Sequence, residues 1–150
     1  MVVALVGMMA MVGLPTMQDW LDRYKVRTAA EELAAIIQLQ RMRAVSQNGD
    51  FSIDFDASAG TYTLYEGDAA TGTALEVQAH VLPVGVAFAG DTDPVNIPDD
   101  EMTFHADGSL NDSTATTDTI HMSNTLGDIF LLSINRSTGR VQVQHQSYGY

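Results

Sequence analysis

The chain opens with a run of apolar residues that is too short to be a complete membrane span. Every residue from Met1 to Leu14 is apolar or glycine, and Pro15 follows. As a helix the run would rise about 21 Å, whereas a membrane span needs about 20 apolar residues to cross about 30 Å of hydrocarbon. A secretory signal needs a basic stretch before its apolar run and small residues at a cleavage site after it. Nothing basic precedes this run, and Leu14-Pro15-Thr16-Met17 is a poor cleavage site, so neither assignment fits.

The next stretch has the spacing of an amphipathic helix. No glycine or proline occurs between residues 16 and 48, and alanine, a strong helix former, is frequent. The positions near helical spacing on one face are Leu21, Tyr24, Leu33, Ile36, Ile37, Gln40 and Ala44. Among them, we expect a docking face on the chain's own sheet made of Leu21, Leu33, Ile36 and Ile37.

Two signals set the bounds of this helix. Asn48-Gly49 supplies a stop, because glycine is favoured just past a helix end. A proline inside an apolar helix kinks it more often than it ends it. The pattern therefore predicts one long helix from Met1 to about Gln47, bent at Pro15 and roughly 70 Å long.

After Gly49 the pattern changes to the period of two that is typical of β-strands. The predicted strands are 51–56, 61–65, 75–79, 81–88, 101–104, 119–122, 128–135 and 140–144, with a Pro/Asp loop at 91–98. The sequence thus predicts an α+β fold of two parts. A long N-terminal helix, residues 1–48, packs on a small antiparallel β domain, residues 49–150, of about eight strands in one or two sheets.

The charge distribution excludes some partners. Seven Lys and Arg oppose 19 Asp and Glu, which gives a net charge of −12. No cation lies between Arg43 and Arg136, whereas 15 of the carboxylates lie between Asp50 and Asp128. Such a surface repels nucleic-acid phosphates, whose binding depends on Lys and Arg. The chain also lacks cysteine, which excludes disulfides and thiolate metal sites.

One segment has the chemistry to bind a cation. Residues 91–101 read Asp-Thr-Asp-Pro-Val-Asn-Ile-Pro-Asp-Asp-Glu and hold five carboxylates, which are hard oxygen ligands of the kind Ca²⁺ prefers. The spacing matches no EF-hand loop, and two prolines stiffen the segment. These features favour the alternative, a solvated acidic loop, and no other cofactor is predicted.

The sequence lacks the usual catalytic motifs. Its four histidines are scattered, without an HExxH pair, and there is no GxSxG, P-loop or GxGxxG motif. His105 and Asp107 could form a ligand pair, but they flank a turn. The sequence therefore predicts a protein that is not an enzyme.

A helix that is apolar before a proline and amphipathic after it, followed by a β domain, resembles the type IV pilin superfamily. Gly7 and Pro15 are similar to the helix-loosening positions of that family. Later segments are similar to its GspH/FimT branch: Arg27-Thr-Ala-Ala-Glu-Glu-Leu-Ala-Ala-Ile-Ile37, Arg41-Met-Arg-Ala-Val-Ser46, Met102-Thr-Phe-His-Ala-Asp-Gly-Ser109 and Gly139-Arg-Val-Gln-Val143. The resemblance covers most of the chain, and the order of these segments is more specific than any one of them.

The sequence departs from the pattern of the family at one place, its N-terminus. The signature of the family, a basic leader, a glycine and Phe-Thr-Leu-x-Glu before the apolar run, does not occur in the sequence. From the resemblance, we expect that roughly seven mature residues are missing ahead of Met1, including the glutamate that pairs with a neighbouring subunit's terminal amine. Either the start codon was placed too late or the chain was trimmed, and prepilin peptidase could not process it as written.

The resemblance implies a structural subunit of a type II secretion pseudopilus or a type IV pilus. Such a subunit is held in the inner membrane by one helix, has its β domain in the periplasm, and joins other pilins in a hetero-oligomeric filament. The residues expected to pack in the membrane and then in the filament core are Val2, Val3, Leu5, Val6, Gly7, Met9, Val12, Leu14 and Pro15.

The alternative function is a tip-located binding module for DNA, a secreted substrate or a surface. Some members of the FimT side bind DNA through a basic C-terminal stretch. Here that stretch holds only Arg140, so the sequence argues against nucleic acid as a partner.

Overall fold

A computed structural model describes residues 2–75, 79–89, 93–110 and 117–146, with side chains described from Met17 onward. This part of the chain contains one α-helix, α1 (Val2–Gln47), and ten strands. The strands are β1 (Phe51–Asp56), β2 (Thr61–Glu66), β3 (Thr73–Ala74), β4 (His80–Val81), β5 (Val86–Phe88), β6 (Val95–Asn96), β7 (Glu101–Phe104), β8 (Thr117–Asn124), β9 (Ile129–Asn135) and β10 (Arg140–Gln146). The predicted α+β fold is confirmed. The described strands outnumber the eight expected by two, because the segment predicted as one strand at 81–88 forms β4 and β5, and because the segment predicted as a loop at 91–98 contains the two-residue strand β6.

The helix ends where the sequence predicts. Asn48 has a left-handed φ of 52°, and the Gly49 amide donates to the carbonyl oxygen of Ala44 at 3.2 Å. This backbone reversal closes the last turn and leads directly into β1. One helix from Val2 to Gln47 is therefore confirmed, while the bend at Pro15 stays a prediction.

The strands form two antiparallel sheets. In the first, the order is β3-β2-β1-β7, with β4 also paired to β2. In the second, the order is β10-β9-β8-β5, with β6 also paired to β8. The register places large apolar residues side by side in each sheet: Ile53 is opposite both Leu64 and Met102, and Ile120 is opposite Leu132.

One continuous hydrophobic core joins the helix to both sheets. The buried face of α1 consists of Val26, Ala29, Ala30, Leu33, Ile37, Gln40 and Ala44, at the three- and four-residue spacing of one helical stripe. The alanines let the helix lie close to the sheets. Gln40 is satisfied although it is fully buried, because its Nε2 donates to the Ser52 carbonyl and its Oε1 accepts from Arg43.

The predicted docking face is right at its centre and wrong at its N-terminal end. Leu33 and Ile37 are buried and Ile36 is half-buried, whereas Leu21 and Tyr24 are exposed. Relative to Val26, the first buried residue, Tyr24 lies about 200° and Leu21 about 140° around the helix. Leu21 therefore points away from the sheets, as does Tyr24, which was on the same predicted helix face but not among the docking residues, and the predicted face joined two different stripes.

Two predicted strands differ from the structure. The segment predicted as a strand at 75–79 pairs earlier, at Thr73–Ala74, and residues 76–78 lie outside the described ranges. The run predicted as one strand at 81–88 is split by a turn at Pro83–Gly85, in which the Val86 amide donates to the Pro83 carbonyl. The split lets β4 join the first sheet and β5 join the second, so this segment crosses between them.

Candidate functional site

The most prominent exposed feature is an apolar stripe on α1. It consists of Met17, Trp20, Leu21 and Tyr24, which we call the aromatic face, and Trp20 is 62% exposed. The Trp20 and Tyr24 rings stack with centroids 5.7 Å apart and planes 14° from parallel. Contiguous exposed apolar surface of this kind marks an interaction site on a folded domain.

This face directly continues the apolar run at the start of the chain. The predicted packing residues Val2, Val3, Leu5, Val6, Gly7, Met9, Val12, Leu14 and Pro15 lie on the preceding turns of α1, but their side chains lie outside those described. Their packing role stays a prediction. Within the described residues, no helix is long and apolar enough to cross a membrane.

Charged side chains border the aromatic face. Arg23 Nε lies 3.2 Å from an Asp128 carboxylate oxygen, and Arg27 Nε lies 2.8 Å from Glu31. The hydrogen bond and negative charge of Glu31 raise the pKa of Arg27. Both arginines stay largely exposed, so these ion pairs fix the side chains at the edge of the face and add little stability.

A second, smaller apolar surface lies near the C-terminal end of the helix. Leu39, Met42 and Val45 are exposed there, and Arg41 and Ser46 join Met42 and Val45 around a pocket of about 390 Å³. The exposed Glu31 and Glu32 separate this surface from the aromatic face. The solvent side of α1 is therefore apolar, then acidic, then apolar again.

Three of the segments that carry the family resemblance, 41–46, 102–109 and 139–143, meet at Arg41. Its Nε donates to the Gly108 carbonyl oxygen at 3.1 Å, and Gln38 Nε2 donates to the Gly139 carbonyl oxygen at 3.1 Å. Gly108 lies in the turn after β7 and Gly139 lies in the β9–β10 turn, both with positive φ. We call this group of four residues the helix clamp. The two glycine turns belong to different sheets, and the helix clamp holds both of them to α1. This contact explains why Arg41 and the two glycine turns occur together in the sequence.

Comparison with known proteins identifies the family. A family model described as type II transport protein GspH matches residues 29–146. The chain belongs to the GspH family. The resemblance to the GspH/FimT branch of the type IV pilin superfamily is therefore confirmed, and all members of the helix clamp lie within the matched region.

Solved structures share the fold of this GspH chain. The minor pseudopilin EpsH from the type 2 secretion system of Vibrio cholerae superposes with a TM-score of 0.58 at 13% identity, covering 81% of this chain and 97% of that chain. The type IV minor pilin FimU of Pseudomonas aeruginosa gives a TM-score of 0.57 at 21% identity, covering 85% and 92%. No curated protein matches in sequence. The GspH fold is thus shared by subunits of both kinds of filament system.

The acidic segment of this GspH chain holds strained backbone and crowded carboxylates. Asp99 and Asp100 both have left-handed φ values, of 58° and 56°. Burial, and then the charges of Asp93, Asp56 and Asp99, raise the pKa of Asp100. Among the described residues, no three His, Asp or Glu side chains converge as a metal site requires, and Asp91 lies outside them. Calcium binding at 91–101 stays a prediction.

The suggested ligand pair His105 and Asp107 is not brought to a common point. His105 Nδ1 lies 3.0 Å from an Asp50 oxygen, whereas Asp107 accepts from the amide and hydroxyl of Ser109. These hydrogen bonds lower the pKa of Asp107. Asp107 therefore stabilises the turn that presents Gly108 to the helix clamp.

A buried ion pair ties β8 to the end of β9. Arg136 Nε donates to Asp118 Oδ1 at 2.8 Å, and its Nη2 contacts the same oxygen. Both side chains are almost fully buried. Burial raises the pKa of Asp118, and the hydrogen bond and charge of Arg136 oppose that effect. Sequence reasoning missed this pair because each residue lies next to a turn or loop, where charged side chains are normally solvated.

Arg140, the cation expected in a basic DNA-binding stretch, lies on the outer surface of the second sheet. It borders a groove of about 440 Å³ whose other lining residues are neutral and polar: Thr117, Ser133, Asn135, Thr138 and Gln142. The groove has one positive charge and many hydrogen-bonding groups. Its chemistry suits a small polar ligand better than a polyanion.

Proposed function

We propose that the chain is a minor pilin or pseudopilin that enters a type II secretion pseudopilus or a type IV pilus through α1. Before assembly, the apolar run at residues 1–15 anchors it in the inner membrane and the β domain lies in the periplasm. Membership of the GspH family supports this role, as does the likeness of the fold to EpsH and FimU. Its task is assembly, with no catalytic step.

The observation that carries the proposal is the aromatic face. Met17, Trp20, Leu21 and Tyr24 extend the apolar character of the first 15 residues by more than two helical turns, on the side of α1 opposite its own core. Aromatic side chains bury about 150–250 Å² each and dominate the energetics of many interfaces. A stripe that the chain's own sheets leave exposed is available to the helices of neighbouring subunits.

Cysteine crosslinking tests this proposal. Because the chain has no cysteine, a single Met17→Cys substitution reports on one position. In cells that assemble the filament, we expect Met17→Cys to crosslink to other subunits and to be recovered with sheared filaments. The control is Val81→Cys, which is 73% exposed on a β4 edge and should not crosslink. Absence of the chain from filaments would contradict the proposal.

A second variant separates assembly from folding. Trp20→Asp places a charge in the aromatic face without touching the core, so we expect unchanged thermal unfolding and strongly reduced recovery in filaments. Val81→Asp introduces the same charge elsewhere and should assemble normally. Equal recovery of the two variants would assign assembly to another surface.

The DNA form of the alternative function has little support, since Arg140 is the only cation at its groove and the net charge is −12. We expect no shift of double-stranded DNA by the full chain near physiological salt, because phosphate neutralisation by Lys and Arg supplies most of such binding. A salt-resistant shift that Arg140→Gln abolishes would instead favour the tip-located binding module.

A further inference from the structure

We infer that one end of the β domain rests on the phospholipid headgroup layer while the chain is anchored and unassembled. This inference depends on the proposed function, because it requires residues 1–15 to be inserted in a bilayer. The surface concerned, which we call the membrane-facing end, combines the aromatic face of α1 with the tips of two turns. Those tips are Val84 and Leu126, which are 91% and 46% exposed.

The two turns lie beside the aromatic face. In the ladder between β5 and β8, Val86 is opposite Asn124, so the turn containing Val84 adjoins the turn containing Leu126. A methyl group placed on Gly85 would lie 3.8 Å from Cγ2 of Thr125. Thr125 in turn reaches α1, since its Oγ1 lies 3.4 Å from an Asp22 carboxylate oxygen. Exposed apolar groups from three separate segments therefore share one end of the domain.

The position along α1 matches the depth of a headgroup layer. If Leu14 lies at the edge of the hydrocarbon, Met17 lies about 5 Å and Trp20 about 9 Å beyond it along the helix. Each headgroup layer extends about 5–8 Å beyond a hydrocarbon core of about 30 Å. Tryptophan and tyrosine are enriched at this depth because their rings are apolar and their N–H or O–H groups need polar partners. Helical side chains lean toward the N-terminus, so the Trp20 ring reaches into this layer, whereas Tyr24, about 15 Å from Leu14, stacks on Trp20 from the aqueous side.

Two arginines border the aromatic face on its aqueous side, where their Cα atoms lie about 14 Å (Arg23) and 20 Å (Arg27) beyond Leu14 along the helix. Arg23 and Arg27 join Trp20, Tyr24 and Phe130 around a groove of about 190 Å³. Their ion pairs with Asp128 and Glu31 are made through Nε, and the side chains are 66% and 65% exposed. The guanidinium Nη groups of Arg23, the nearer of the two, can therefore extend toward lipid phosphates, which arginine binds well.

Nearby carboxylates limit the lipid selectivity. Asp19 and Asp22 lie on the same turns of α1 as the aromatic face, and Asp56 precedes the β1–β2 turn, whose Gly60 carbonyl accepts from Leu82 close to Val84. Together with Glu31 and Asp128, these carboxylates outnumber the cations of this end, which are Arg23, Lys25 and Arg27. The surface thus fits the phosphate and glycerol layer that all phospholipids share, and we expect no strong preference for anionic lipids.

Tryptophan fluorescence of the full chain tests the inference, because Trp20 is the only tryptophan. The chain is reconstituted at low density into phosphatidylcholine vesicles that carry a spin label either on the headgroup or near the acyl-chain end. We expect the headgroup label to quench Trp20 at least about twofold more than the deep label, as the interfacial preference of the indole ring requires. Replacing a third of the lipid with phosphatidylglycerol should leave the ratio unchanged.

The other outcomes are distinct. Trp20 that is quenched by aqueous acrylamide and by neither lipid label would overturn the inference, and so would stronger quenching by the deep label. Trp20 that is shielded from all quenchers already at low protein density would assign the face to a neighbouring helix alone and would also overturn the inference. A chain that does not float with the vesicles would contradict the membrane anchor itself, and with it the proposed function.

Variants in the two turns give an independent readout. Val84→Asp and Leu126→Asp alter exposed tips outside the core, so we expect normal folding and increased acrylamide quenching of Trp20 in vesicles. Met42→Asp is the matched control. Like the two turn residues, Met42 is an exposed apolar side chain, but it lies about 33 Å farther along α1 than Trp20. If all three variants behave like the unmodified chain, the turns do not contact the bilayer and the inference fails.

Discussion

The Arg41 side chain lies so close to Gly139 that a methyl group on this glycine would come within 2.5 Å of Cδ of Arg41. The same methyl group would lie 2.9 Å from the backbone oxygen of Gly108, which cannot move aside as a side chain can. Glycine at the tip of the β9–β10 turn is therefore a packing requirement as well as a backbone requirement. The helix clamp depends on it.

Gly139→Ala should destabilise the chain by about 2–3 kcal/mol, because the substitution adds a close contact to an unfavourable positive φ. The matched control is Gly60→Ala, where φ is +66° and nothing lies within 4 Å of the added methyl group. That control should cost only about 1 kcal/mol. Equal losses in urea unfolding would show that the approach of Arg41 is unimportant.

Leu33→Ala should remove the centre of the helix–sheet contact. Leu33 is 1% exposed and belongs to the core that joins α1 to both sheets. We expect a loss of about 2–5 kcal/mol in the free energy of unfolding. Leu39→Ala, on the exposed side of the same helix, should change it by less than about 0.5 kcal/mol. Similar losses for the two leucines would contradict the observed orientation of α1.

Asp118→Ala should remove a buried counterion of the Arg136 guanidinium. We expect a loss of about 3–5 kcal/mol, measured by chemical unfolding. The double variant Asp118→Leu/Arg136→Met removes both charges and should recover most of that loss, since an apolar pair of similar volume avoids the desolvation of two ions. A double variant as unstable as the single one would indicate that the pair itself is strongly stabilising.

Asp54→Asn should stabilise the chain at neutral pH. Burial, followed by the charges of Glu101, Asp100 and Asp56, raises the pKa of Asp54. The folded state therefore binds the proton more tightly than the unfolded state, so ionised Asp54 opposes folding above its folded pKa and the penalty disappears as the pH falls. The melting temperature of Asp54→Asn should exceed that of the unmodified chain at about pH 7 and match it at about pH 3.

Asp56→Asn is the control of opposite sign. The Ser58 hydroxyl and the Ala59 amide donate to Asp56 and lower its pKa. Ionised Asp56 therefore favours folding, and this contribution is lost as the pH falls through the folded pKa. The substitution should lower the melting temperature at neutral pH and have little effect in acid. The same sign of change for both variants would contradict the two environments described.

Much of the fold follows from local patterns, and its departures have physical causes. The period of two locates β1, β2, β7, β8, β9 and β10 to within a few residues. It fails at 81–88, because apolar residues continue through Pro83–Gly85 while the hydrogen-bond partners change from one sheet to the other. Pairing partners are a tertiary property, which a single run of residues does not contain.

The exposed apolar surface of α1 was predicted less well than the fold. Leu21 and Tyr24 belong to an apolar stripe, but helical spacing alone does not say which of two stripes faces the chain's own sheets. The alanines carry the missing signal. Ala29, Ala30 and Ala44 lie on the side on which α1 comes closest to the sheets, and they would have identified the buried stripe. The helix clamp had a signal in the Gly108 and Gly139 turns, yet their shared partner Arg41 is distant in sequence.

The helix clamp also determines how the domain carries mechanical load. In the proposed filament, tension would pull each subunit along its helix, and a helix held by one sheet alone would separate from it strand by strand. Here α1 is fastened to Gly108 beyond the first sheet and to Gly139 beyond the second. Force along the helix axis is thus shared by these two attachments and by the hydrophobic core that joins α1 to both sheets, and all of them must yield before the β domain can separate from α1.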